Sequence, residues 1–210
     1  MSQLKYTAIS AMFEAIWLAR LPGVIRQLSK SRGVIFTLHR VLPEAPAEFA
    51  PNAILQVQPD FLEYAIKRVR DLGLDIVTMD EAIARLRRPD DGRNFVVFTF
   101  DDAYRDNLTH ALPILRRHQC PFTLYVPTKL VDGLGEVWWQ ALEDIIARQS
   151  AIKAEIDGNI EQFDCTSLAQ KKAAFAVIYQ HMREMPEPDR ISLMRTLAND
   201  YGLDAGPALP

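Results

Sequence analysis

Only two cysteines, Cys120 and Cys165, occur in the 210 residues. They are isolated, with neither Cys-x-x-Cys nor any other metal-ligand spacing, and each reads as a buried or semi-buried thiol that suits a reducing compartment. An excess of one charge is also missing. Lys and Arg total 24 against 27 Asp and Glu, for a net charge of −3 and a pI near 5.8. No electrostatic footprint for nucleic acid follows from that balance. A long hydrophobic run is lacking as well. The richest early stretch, residues 8–21, holds Phe13, Ile16, Trp17 and Leu18, but Glu14 interrupts it. It is too short for a membrane span. With Lys5 the only early basic residue and no small-residue cleavage site, it does not read as a signal peptide. An amphipathic helix packed on the domain is expected, with peripheral membrane contact as the second reading. The expected location is cytoplasmic, with periplasmic or membrane-peripheral as the alternative.

What is present is ordinary for a globular α/β chain, at 49% hydrophobic and 24% charged residues. Residues 34–38, 75–77, 95–100 and 122–126 read as strands. Helices are expected over 60–72, with Asp60 as cap and Gly73 as stop, and from Thr78, boxed with Glu81, to Arg87. Residues 43–59 read as a proline-rich loop. Strand–helix alternation of this kind predicts a parallel sheet. Beyond residue 137 the character changes. A helix is expected over 138–148, then a hairpin turning at Asp157-Gly158. Ser167 opens a long helix to about 185, and after Pro186 and Pro188 another runs from Asp189 to about 199.

The chemistry gathers after residues 95–100, an apolar run that reads as a strand buried on both faces. It ends in Asp101-Asp102. Two acids at the C-terminal end of a parallel strand can divide labour, one binding a metal and one serving as general base. A helix-capping Asp is the plainer reading of such a pair taken alone. His39 follows another strand and is placed on the same rim, where it serves as acid, as substrate-orienting group, or as a hydrogen-bonded structural residue.

The segment Thr99-Phe100-Asp101-Asp102-Ala103-Tyr104-Arg105-Asp106-Asn107 resembles the first motif of the polysaccharide deacetylases, the family four carbohydrate esterases that include the nodulation-type chitooligosaccharide deacetylases. One position departs: Ala103 stands where the family has Gly. Residues 33–41, with Leu38-His39-Arg40-Val41, resemble the family's opening strand, and the resemblance covers roughly residues 33–140. It implies an irregular (β/α) barrel, here partial because four strands cannot close one, with a mostly helical C-terminal insertion. The division expected is 1–32 as an N-terminal helical region, 33–136 as the deacetylase-like core and 137–210 as the insertion.

The resemblance also implies roles. Asp101 matches the catalytic base and Asp102 the carboxylate ligand of a divalent metal, zinc by expectation. Tyr104 and Arg105 fall above the site as candidate substrate-binding residues, where Arg105 can also pair with either acid. Trp138 and Trp139, in a Gly135-Glu136-Val137-Trp138-Trp139-Gln140 segment that resembles one in some relatives, can stack on a sugar, with Trp139 the candidate substrate-binding residue and core packing the expected use of at least one of the two. The implied substrate is an N-acetylated oligo- or polysaccharide. The family's other two ligands are histidines four residues apart. The chain's four histidines, His39, His110, His118 and His181, include no such pair, and the last three are expected to face solvent. A fragment, a degenerate homologue or a protein with unrelated ligands would each account for that. The fragment is favoured, because the chain stops about where the second motif would follow. The family's Gly sits in a tight turn, where a positive φ would strain Ala; because the neighbouring residues all match the motif, Ala103 is expected instead at negative φ, where it is harmless.

Overall fold

The computed structural model describes residues 3–19, 31–88, 94–132 and 137–203. Gly135, Glu136 and residues 208–210, used in the sequence reading, lie outside them. The element on which the rest is built is β5 (Phe95–Phe100), and all six of its residues are buried. Aromatic and β-branched side chains in succession favour an extended strand and leave no polar face for solvent. β1 (Gly33–Leu38) runs parallel to β5 along its whole length, from Gly33 opposite Phe95 to Leu38 opposite Phe100. β4 (Asp75–Ile76) pairs with the first two residues of β5, and β6 (Phe122–Leu124) with its last three, both parallel. The fold is mixed α/β, and among the described residues this sheet is open rather than closed into a barrel.

Two sets of side chains cover β5. Val96, Phe98 and Phe100 pack with Leu62, Ile66 and Val69 of α2 (Pro59–Asp71) and with Leu115 of α4 (Leu112–Arg117). Phe95 and Val97 point the other way, to Val77 and to Ala82 of α3 (Met79–Arg87). α2 starts one residue earlier than expected, with Gln58 rather than Asp60 as its cap. Pro59 takes the first helical position, where its missing N–H costs nothing. It ends before Gly73, whose φ of 68° takes the left-handed stop. Thr78 caps α3 through the Glu81 N–H at 3.2 Å, but the Glu81 carboxylate turns to Arg85 Nε at 2.9 Å, so half of the expected box forms.

β2 (Arg40–Val41), just before the stretch expected as a loop, and β3 (Gln56–Val57), within it, form a two-residue parallel ladder, with a 3-10 turn at Pro51–Leu55 before β3. The expectation for the N-terminal helix needs correcting. α1 (Gln3–Leu18) forms, but Ile9, Met12, Phe13 and Leu18 are exposed, so these side chains do not pack on the domain. No helix among the described residues is long and apolar enough to cross a membrane.

The C-terminal part has its own buried cluster. α5 (Thr128–Val131) leads toward α6 (Trp138–Arg148), which packs with β7 (Ala151–Ile156), α7 (Leu168–Glu184) and α8 (Glu187–Asp200) around Leu142, Ile146, Ile152, Ile178, Met182 and Met194. β7 and β8 (Asn159–Asp164) form the hairpin, with Asp157 and Gly158 at φ 50° and 79°. Two left-handed residues are what a two-residue hairpin turn with the strands' own twist requires. Ser167 and Gln170 close a capping box at the start of α7. Both cysteines are buried, and burial pushes the Cys120 thiol up to about 11.

Two histidines expected to face solvent are instead paired. His181 Nδ1 lies 3.4 Å from Asp157 Oδ1, and His118 Nε2 lies 2.9 Å from Glu63 Oε1. Glu63 also accepts from Lys67 at 2.8 Å and Arg117 at 2.7 Å. Hydrogen bonds from Lys67 and then His118 lower its carboxyl from the usual 4.5 to about 2. A depressed carboxyl stabilises the fold above its unfolded pKa and loses that contribution as pH falls through the folded value. The unfolding midpoint is therefore expected to drop between pH 4.5 and about 2, and Glu63→Gln should flatten that part of the profile. Urea titrations at stepped pH measure it. The cluster is solvent-accessible, so the effect is modest.

Candidate active site

The parallel register sets the site. Leu38 and Phe100 are partners, so the residues that follow them, His39 and Asp101, emerge side by side at the C-terminal rim. The Asp101 N–H donates to Leu38 O at 2.9 Å and carries the ladder one step past β5. His39 Nε2 lies 4.0 Å from Asp101 Oδ2, both side chains being partly exposed.

Asp102, the next residue, takes a different backbone conformation. Its φ is 66°, in the left-handed region, and its carboxyl is half-buried. Burial is the largest cause raising that carboxyl above its usual 3.8; the His39 charge opposes the rise and the Asp101 charge adds to it. The two acids thus occupy different environments, as a division of roles requires. Both line a cleft of about 600 Å³ with Thr37, Thr99, Tyr125 and Val126.

Ala103 overturns the expectation of negative φ, since it stands at φ 52°. The chain leaving β5 must reverse at once, and two successive left-handed residues accomplish it. Asp tolerates that region; Ala, with its Cβ against the backbone, does not favour it. Ala103→Gly is expected to stabilise the protein by about 0.5–1 kcal/mol, the relief of strain less the extra freedom of glycine in the unfolded chain. A denaturant midpoint that fails to rise would contradict the strained turn.

The three residues expected to touch substrate are placed elsewhere. Tyr104 is 1% exposed, and its hydroxyl accepts a hydrogen bond from Trp139 Nε1 at 2.9 Å. Burial pushes that phenol up to about 12. Trp139 is held by this bond and by its own carbonyl, which accepts from Asn52 Nδ2 at 2.8 Å. Its neighbour Trp138 packs on Tyr179 of the C-terminal cluster, ring centroids 5.0 Å apart. Arg105 is exposed and makes no ion pair with Asp101 or Asp102. None of Tyr104, Arg105 and Trp139 lines the acid cleft.

A pair that sequence reading missed stands behind the rim. Arg40 Nε donates to Asp106 Oδ2 at 2.9 Å, and the Val41 N–H donates to Asp106 Oδ1 at 2.9 Å. Asp106 stands at the N-terminus of the π-helical turn Asn107–Ala111 but makes no side-chain capping bond to it. The signal was its place in a buried segment, because a buried carboxylate needs a cationic partner.

No three His, Cys, Asp or Glu side chains converge on a common point among the described residues. A catalytic zinc site ordinarily takes three protein ligands, so the residues here do not make a complete metal site.

An α/β sheet whose central strand delivers two adjacent acids to an open cleft offers groups suited to acid–base chemistry. Residues 88–156 match the polysaccharide deacetylase family, the family read from the first motif. The match begins later than the expected residue 33 and runs past 140 into β7. No curated protein matches the chain. Among solved structures, a Streptococcus pyogenes deacetylase in complex with acetate is 29% identical over 47% of this chain and 43% of its own, with a TM-score of 0.41. This chain therefore spans less than half of that relative. A de-N-acetylase from Aggregatibacter actinomycetemcomitans is 13% identical over 81% of this chain and 75% of its own, at a TM-score of 0.42. A deacetylase domain from Bordetella bronchiseptica is 18% identical over 70% of this chain and 50% of its own, at 0.33.

Proposed function

We propose that this chain is the acid-bearing part of a metal-dependent deacetylase that hydrolyses the amide of an N-acetylated polysaccharide or chitooligosaccharide, on a partial (β/α) barrel of the deacetylase type. The observation that carries the reading is the placement of Asp101 and Asp102 at the end of β5, facing one cleft, inside the segment that matches the family. Asp101, with His39 beside it, takes the proton of the water that attacks the acetamide carbonyl. The C–N bond then breaks, leaving acetate and a free amine on the sugar. Asp102 contributes one ligand to a divalent metal, zinc by preference. The remaining ligands are not supplied by the described residues, and the 210-residue chain is accordingly inactive by itself.

Calorimetric titration with zinc tests the ligand count. One carboxylate should bind with a dissociation constant no tighter than about 1 µM. Tight stoichiometric binding abolished by Asp102→Ala would mean that further ligands lie within these residues. The incomplete ligand set also favours a second reading, a non-catalytic homologue that binds carbohydrate. Sugar binding without acetate release, in a version that does hold metal, would select it.

A further inference from the structure

We propose that Arg40 and Asp106 are positioning residues, a buried clasp that fixes His39, Asp101 and Asp102 relative to one another. The strand-end segment 38–41 and the motif segment 101–106 are tied together twice. At the near end the Asp101 N–H donates to Leu38 O; at the far end the Asp106 carboxylate accepts from Arg40 Nε and the Val41 N–H, each bond 2.9 Å long. His39 is the residue between the ties on one segment. Asp102 and Ala103, both left-handed, lie between them on the other.

With both ends fixed, the motif segment has to fold back compactly, and left-handed residues supply the reversal. Such strained conformations persist only where the surroundings over-determine them. Here the surroundings are rigid. The Asp106 side chain is 5% exposed and that of Arg40 16%. The Arg40 guanidinium lies 4.7 Å from the centre of the Tyr104 ring, and the Tyr104 hydroxyl accepts from Trp139 of α6. Asn52 extends the tie, its Nδ2 donating to Trp139 O and its N–H to Glu143 Oε2, each at 2.8 Å. Tyr104 and Trp139 thus act as a brace for the clasp rather than as a platform for sugar. That His39, Asp101 and Asp102 are the working groups rests on the deacetylase reading; that the clasp sets their geometry does not.

The test reads that geometry directly in the 210-residue chain. In the NMR spectrum of the unaltered protein, Asp102 and Ala103 should each give the strong intraresidue HN–Hα contact of a left-handed residue. Arg40→Gln and Asp106→Asn are expected to lose it at both positions while the rest of the spectrum stays dispersed and folded. Ile146→Ala, in the C-terminal cluster, lowers stability without touching the clasp and should keep both contacts. Tyr104→Phe, which keeps the ring under Arg40, serves if the charge variants do not fold, and is expected to weaken both contacts. Left-handed contacts that persist in every folded clasp variant, or that vanish equally in Ile146→Ala, overturn the proposal. Because nothing in this readout is acetate release, the deacetylase reading can fail while the clasp stands, and the reverse.

Discussion

Asp101→Asn is expected to lower acetate release by about 10²–10⁴-fold while leaving bound metal in place. The version to measure is the chain continued by a segment that carries two histidines four residues apart, the ligand pair that the family resemblance implies. Asn keeps the size and hydrogen-bonding oxygen of Asp but cannot take a proton from water. Asp102→Ala should lose metal and turnover together, because it removes the proposed ligand. The proposed roles follow the different geometry of the two acids. Asp101 continues the β ladder and stands beside His39, whereas Asp102, one residue on, is left-handed and half-buried. Metal analysis and an acetate assay on the same two preparations decide it. Turnover retained in Asp101→Asn would remove Asp101 from the chemistry.

The largest effect on stability is expected at Phe98. It is 1% exposed at the middle of the strand to which β1, β4 and β6 all pair, and its ring lies 5.4 Å from that of Phe36. Phe98→Ala removes buried apolar surface and leaves a cavity between β5 and α2, for a loss of about 3–5 kcal/mol. Val34→Ala on the neighbouring strand, where Val34 is half exposed, should cost no more than about 0.5 kcal/mol. Urea unfolding of the two variants measures the contrast. Similar losses would mean that β1 is covered in solution by something the described residues do not include.

The parts that were legible in the sequence are those whose physics is local. Residues 95–100 read as a doubly buried strand because six apolar or β-favouring residues run together and stop at two acids. Asp157-Gly158 read as a hairpin because both residues tolerate positive φ. Parallel strands also put His39 and Asp101 on one rim by sequence pattern alone. What escaped depends on distant partners. The φ of Ala103 is set by ties to Leu38 and Val41 more than sixty positions earlier, so the match of its neighbours to the motif gave the wrong sign. Arg40 and Asp106 are separated by 66 positions, and nothing in either neighbourhood names the other. Tyr104 and Trp139 look like sugar platforms by type; only packing shows the phenol and indole spent on each other. β2 and β3, two residues each, are too short to leave a period of two in the sequence.

Acetate release from N-acetylated glucosamine oligomers, measured side by side for the 210-residue chain and for the continued version bearing the two-histidine segment, tests the central claim most directly. Release by the continued version alone, lost on Asp101→Asn, is the result predicted. Release by the 210-residue chain, or none from a continued version that holds its metal, would contradict it.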